Sequence, residues 1–122
     1  MPSLEEELNQ LAAALRPLFT RLQVLRAFVF GSAARNETSR HSDLDLMVIW
    51  ETPQRFLDRY DVLLPEIARA VPHRDIDLLI YTPAEFRAMA DRPFIRRIRQ
   101  EAKTIYESDK EPASGRAMAV DR

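Results

Sequence analysis

Val24-Leu25-Arg26-Ala27-Phe28-Val29-Phe30-Gly31-Ser32-Ala33-Ala34-Arg35, then Asn36 to His41, then Ser42-Asp43-Leu44-Asp45-Leu46-Met47-Val48-Ile49-Trp50, is the stretch on which the fold turns. Val24 to Phe30 is short, apolar and rich in β-formers, so it reads as a buried strand. Asp43 to Trp50 reads as a second strand that alternates. Asp43, Asp45, Met47 and Ile49 fall on one side, with Leu44, Leu46, Val48 and Trp50 on the other. Between them, Ser32 to about Arg35 predicts one helical turn and Asn36 to Ser42 a polar loop. A Gly-Ser turn leaving a strand can open a helix whose free N–H groups face a phosphate. Two aspartates at i and i+2 of a strand project from one face and can hold divalent metal between them. The chain has only two glycines, and the other, Gly115, sits in a polar tail. Gly31 therefore lies where a close backbone approach to a ligand needs it. Together these residues describe a site for a nucleoside triphosphate with its magnesium.

Outward from this stretch the pattern is that of a small α/β (α+β) domain with a mixed sheet flanked by helices. Ser3 and Glu6 have capping-box spacing and start a helix with Leu4, Leu8, Leu11 and Leu15 on one face, which Pro17 is expected to end or kink. Thr52-Pro53 is expected to start the next helix, with proline at its first position. Phe56, Leu57, Tyr60, Leu63, Leu64, Ile67 and Ala68 keep helical spacing through it, and Pro65 is expected to bend or split it. Asp75 to Tyr81 reads as a third strand. Thr82-Pro83-Ala84-Glu85 caps a short helix through Met89, Phe94 to Ala102 makes a last one, and Thr104 to Tyr106 is a short closing strand. Residues 1–107 form the domain. Residues 108–122, where serine, glycine, proline and charge replace periodicity, read as a disordered tail.

The bulk composition narrows the class. At 122 residues, 46% apolar and 30% charged, the chain fits one globular domain. A net charge of −1 gives no reason to expect nucleic acid or membrane as a partner. There is no cysteine, which excludes disulfides, thiolate metal sites and a cysteine nucleophile. No apolar stretch approaches membrane-spanning length and no signal-peptide pattern opens the chain, so a cytoplasmic location is expected. Sixteen arginines stand against two lysines. That balance suits bidentate phosphate or carboxylate contacts, and it is equally compatible with genome composition.

A two-metal site calls for a third carboxylate, and the third strand offers Asp75 and Asp77 on one face. Asp77 leads directly into the apolar core of that strand, so it is the harder one to explain as surface and is assigned as the third ligand. Asp75 reads as a solvated strand start beside Arg74. Two magnesium ions about 3.5–4 Å apart would then activate an attacking hydroxyl and steady a leaving pyrophosphate. Asp43 and Asp45 would bridge both ions, and Asp77 would hold the one beside the nucleophile. Ser32 and the N–H groups after Gly31 would grip the terminal phosphates. Arg35 lies on the turn after Gly-Ser, near the phosphates or in solvent, and Arg40 sits mid-loop. Ser42 suits a phosphate contact or a turn cap. His41 and His73 lack a paired ligand and read as surface. Arg92, Arg96, Arg97, Arg99 and Lys103 read as a solvated helix face or a partner-docking surface, and Trp50 as core.

With these residues the chain resembles the polymerase-beta-like nucleotidyltransferases, whose signature is Gly-Ser, a ten-residue gap, Asp-x-Asp and a later strand Asp. It is more closely similar to their minimal nucleotidyltransferase (MNT) domains through GSAAR, SDLDL, DLLIYTPAEF and the ending PFIRRIRQEAKTIYE, over about residues 3 to 107. Asn36 stands where many members have glycine, and asparagine tolerates positive φ. The resemblance implies an enzyme with two Mg²⁺ ions and ATP as nucleotide donor. Asp43, Asp45 and Asp77 would be its catalytic and metal-binding residues, with Gly31, Ser32, Arg35 and Ser42 at the nucleotide. Larger members carry a second domain that grips the acceptor, so a bare catalytic domain is expected to need a partner. Family members of this size are typically antitoxins beside a HEPN-domain RNase toxin, which implies a hetero-oligomer and transfer of AMP to a toxin tyrosine. Two rival functions stay open: an antitoxin that neutralises by binding alone, and nucleotidyl transfer to an aminoglycoside-like small molecule with a partner subunit.

Overall fold

The structure, a computed structural model, describes residues 3–31 and 43–108. Helix α1, Leu4–Arg21, begins at the expected capping box: the Glu6 amide donates to Ser3 Oγ and the Ser3 amide to Glu6 Oε1, each at 3.1 Å. The helix continues through Pro17 to Arg21 rather than ending there. An interior proline costs about 3 kcal/mol. Leu15, Leu18 and Phe19 beside it are all buried, and at about 1.5–3 kcal/mol per buried apolar side chain they outweigh the lost bond. The helix closes in a Schellman motif: the Gln23 amide donates to Thr20 O and the Val24 amide to Phe19 O. Gln23 takes the left-handed position at φ 63°, a place usually given to glycine.

Strands β1 (Arg26–Phe30) and β2 (Leu44–Ile49) follow, then helix α2 (Phe56–Ala70), strand β3 (Ile76–Tyr81), helices α3 (Pro83–Ala88) and α4 (Pro93–Glu101), and strand β4 (Lys103–Glu107). The sheet order is β3-β2-β1-β4. β1 is antiparallel to both its neighbours, whereas β2 and β3 are parallel and joined across α2. The sheet is thus mixed, as expected.

Two departures concern α2. It starts at Phe56 rather than Pro53, because the preceding residues are engaged elsewhere. Thr52 Oγ1 accepts from the Gln54 amide, and the Gln54 carbonyl accepts from Arg59 Nε. Pro65 does not split the helix, since Leu63 and Ile67 on either side of it are fully buried.

Period-two alternation gives the sheet a core on each face. Ala27, Val29, Leu44, Leu46, Val48, Leu78 and Ile80 pack with α1 and α2 through Leu15, Phe19, Leu63 and Ile67. Trp50 joins this core and donates its indole N–H to Leu22 O at 2.9 Å. Phe28, Phe30, Met47 and Ile49 occupy the other face, covered by Phe86 of α3 and by Ile95 and Ile98 of α4. None of the helices among the described residues is long and apolar enough to cross a membrane.

Candidate active site

Both face assignments decide where the carboxylates go. Asp45 shares the α3/α4 face with Met47 and Ile49, and Asp77 shares it with Leu79 and Tyr81. In the parallel pairing of β2 with β3, Asp45 stands directly opposite Asp77. Across the antiparallel pair, Phe30 stands opposite Asp45. The ends of β1, β2 and β3 therefore bring Gly31, Asp45 and Asp77 into one row. Neighbouring strands lie about 4.8 Å apart, close enough for two such carboxylates to serve one group of ions.

Gly31 has φ +72°, a conformation that L side chains rarely adopt. A Cβ built there would overlap Asp45 Oδ2 and come within 3.2 Å of its Cγ. The glycine is needed twice, once for its backbone and once because the Asp45 carboxylate occupies the place of its missing side chain.

A cleft of about 550 Å³ opens over this row. Its floor is Phe30, Gly31, Asp45, Asp77, Leu78 and Leu79, and α4 supplies its wall through Phe94, Arg97, Ile98 and Glu101. Arg97 Nε donates to Glu101 Oε1 at 3.2 Å along the wall. Phe94 meets Phe30 edge-on, with ring centroids 6.1 Å apart.

The predicted residues are thus partly assembled. Gly31, Asp45 and Asp77 line the cleft, whereas Asp43, exposed one residue before β2, is outside its lining. Asp75 and His73 are exposed, as read. Ser32, Arg35 and Ser42, with Arg40 and His41, lie outside the described residues, as do the expected helical turn and loop of residues 32–42 and the tail from 109. Among the described residues no cluster of three or more His, Cys, Asp or Glu is arranged to hold a metal. The pair Asp45 and Asp77 still fits magnesium, a hard cation that takes one or two carboxylates and completes its shell with substrate phosphates and water.

Sequence reasoning missed Phe94 and Arg97. Arg97 reads from the sequence as part of a solvated helix face or a partner-docking surface, and Phe94 only as the start of a helix. The available signal was their i, i+3 spacing, which puts an aromatic and a cation on one side of α4.

Behind β3, α2 is tied to α3 by a buried arginine. The Arg59 side chain is 6% exposed and meets Glu85 through two contacts, Nη1–Oε1 at 2.7 Å and Nη2–Oε2 at 2.9 Å. It also donates to the carbonyls of Gln54 and Ile80. Glu85 closes the Thr82 capping box at the start of α3. The hydrogen bond from Arg59 holds the Glu85 carboxyl below its ordinary pKa. This clamp fixes the end of the strand that carries Asp77.

A mixed four-stranded sheet with a glycine turn beside two in-register carboxylates is the architecture of a nucleotidyltransferase. The chain belongs to the polymerase beta nucleotidyltransferase family, whose model matches residues 14–111. A Methanocaldococcus jannaschii protein, provisionally named a protein adenylyltransferase, is 32% identical over 74 residues, which are 61% of this chain and 77% of that one. Among solved structures, one provisionally described as a minimal nucleotidyltransferase is 29% identical with a TM-score of 0.58, covering 84% of this chain and 95% of the other. A toxin–antitoxin crystal structure with AMP-PNP shares the fold at a TM-score of 0.61 and 19% identity, over 90% of this chain and 82% of that one. So does a chain from the structure of a tri-AMPylated Shewanella oneidensis HEPN toxin in complex with an MNT antitoxin, at 0.51 and 16%, over 98% and 82%.

Proposed function

We propose that this nucleotidyltransferase is a magnesium-dependent antitoxin that transfers AMP from ATP to a tyrosine of a HEPN-domain toxin, and so neutralises it. The observation that carries the chemistry is the pairing of Asp45 with Asp77 beside the Gly31 turn. The acceptor is inferred from likeness: the fold is shared with a chain of an AMPylated HEPN toxin complex, and the sequence is similar to a protein provisionally named a protein adenylyltransferase.

In this reading the triphosphate lies against Gly31 and the following residue, Ser32, with Arg35 and Ser42 as further nucleotide contacts. Asp45 and Asp77 would hold the ions, and Asp43, outside the cleft lining, would have to move in to join them. Bound magnesium would neutralise phosphate charge and make the acceptor hydroxyl easier to deprotonate. The tyrosine oxygen attacks the α-phosphorus in line, forming one P–O bond. The bond to the β-phosphate breaks, and pyrophosphate leaves with the electron pair. Asp77, on β3, takes up the hydroxyl proton. Acceptor placement falls to the partner.

The test is incubation of the chain with a HEPN-domain protein encoded beside it and Mg-ATP, followed by intact-mass measurement. The partner should gain AMP on tyrosine with the parent and none with Asp45→Asn or Asp77→Asn. If those variants protect cells from the toxin as fully as the parent does, neutralisation is by binding and the enzymatic account fails.

A further inference from the structure

The geometry points to Phe94 as the platform on which the base of the donor nucleotide stacks. This inference rests on the nucleotidyltransferase reading of the cleft and goes beyond it by naming the residue that holds the nucleoside end.

Phe94 is unusual on its own helix. Its apolar neighbours Ile95 and Ile98 are each 2% exposed and build the second core, whereas Phe94 is 53% exposed. A phenylalanine left half in water forgoes much of the stabilisation that burial of such a ring supplies, and an interior position is the usual outcome. Here the ring is held out instead. Its edge-on contact with Phe30 fixes it beside the residue that precedes Gly31, and it lines the same cleft as Asp45 and Asp77.

The chemistry of the cleft is divided. Its floor carries the carboxylates and the glycine turn suited to metal and polyphosphate. Its α4 wall carries a half-open aromatic ring and, one turn on, the Arg97 guanidinium braced by Glu101. A nucleoside triphosphate needs both kinds of surface, a charged end for phosphates and a flat apolar face for its base. A space of about 550 Å³ lies within the range typical of small-molecule sites. An aromatic face with a neighbouring cation is the common way proteins hold a base without reading its sequence. The acceptor is the other flat ring in the proposed reaction. It belongs on the Asp77 side, and Phe94 sits against β1 at the opposite side of the row.

Calorimetric titration of the full chain with two probes separates these readings: Mg-ATP, and Mg-tripolyphosphate, which has no base. Phe94→Ala should bind ATP roughly 5- to 100-fold more weakly, the loss expected for one stacking contact. It should bind tripolyphosphate within about twofold of the parent, and Phe94→Trp should restore ATP binding. Equal ATP affinity in Phe94→Ala and parent overturns the proposal, including the case where AMP transfer falls because the ring serves the acceptor. Equal weakening for both probes overturns it too, since the residue then shapes the cleft and does not hold the base. In either case the nucleotidyltransferase reading stands so long as the parent binds ATP and Asp45→Asn weakens both probes. A parent that binds neither probe removes both.

Discussion

Replacing Gly31 with alanine adds one methyl group and two separable costs. The first is backbone: at φ +72° an L-residue is strained by about 1–2 kcal/mol. The second is local, because the new Cβ overlaps Asp45 Oδ2 and crowds its Cγ at 3.2 Å, so the carboxylate must leave its rotamer at roughly 1 kcal/mol more. The variant should therefore be less stable by about 2–3 kcal/mol, which for a domain of this size is a Tm lower by roughly 8–20 °C. Asp45 displaced by about an ångström should cost on the order of 100-fold in AMP transfer. A double-mutant cycle isolates the second cost. In an Asp45→Ala background the methyl meets only the Asp45 Cβ position, at an ordinary 3.5 Å. Gly31→Ala should then cost only the backbone 1–2 kcal/mol, a coupling of about 1 kcal/mol. Thermal and denaturant unfolding of the four proteins, with transfer assayed on the two that keep Asp45, decides it. The reasoning is refuted if Gly31→Ala costs the same in both backgrounds, or if it transfers AMP within twofold of the parent.

Two further perturbations act away from the cleft. Gln23→Gly should stabilise the chain by a few tenths of a kcal/mol to about 1, since relief of the left-handed strain at φ 63° exceeds the entropy that glycine adds to the unfolded state. A melt showing a lower Tm would contradict it. Glu85→Gln weakens the partner of a buried arginine and should cost roughly 1–2 kcal/mol, a modest figure because the carboxylate is itself 41% exposed. The same group sets a pH dependence. Its folded pKa is lowered, so its contribution is fully present above the unfolded value of about 4.3 and is lost as pH falls through and below it. Denaturant midpoints measured from about pH 6 downward should fall more steeply for the parent than for Glu85→Gln, and parallel curves would exclude the Arg59–Glu85 contact as the source.

Local chemistry was legible wherever it was decided by neighbours in sequence. Both capping boxes, at Ser3 and Thr82, formed as spaced. Gly31, Asp45 and Asp77, which turn chemistry and strand alternation single out, line one cleft. α1 continues through Pro17, α2 is not split at Pro65 and starts after Pro53 for one cause: proline propensity is a local term, and burial of Leu15, Phe19, Leu63 and Ile67 or the demands of Arg59 overrode it. Phe94 and Arg97 were illegible for a different reason. Their i, i+3 spacing puts them on one side of α4, but that this side faces the cleft depends on α4 returning over β1, a long-range placement.

The same reasoning explains why the carboxylates could be trusted to face each other. β2 and β3 alternate so that Leu44, Leu46 and Val48, with Leu78 and Ile80, enter the α1/α2 core. A slip of β3 by one residue would turn Leu78 and Ile80 outward and carry Asp77 toward that core, exposing two apolar side chains and burying a charge. The register that sets Asp45 opposite Asp77 is therefore enforced by hydrophobic packing on the far side of the sheet. The carboxylate pair need contribute nothing to stability for its geometry to be fixed. The fold therefore sets the two carboxylates side by side whether or not a ligand is bound. Arg59 completes the arrangement by pinning the far end of β3 to α2 and α3. The strand that must present Asp77 is thus held along its buried face and at its end, while its carboxylate row stays open to the cleft.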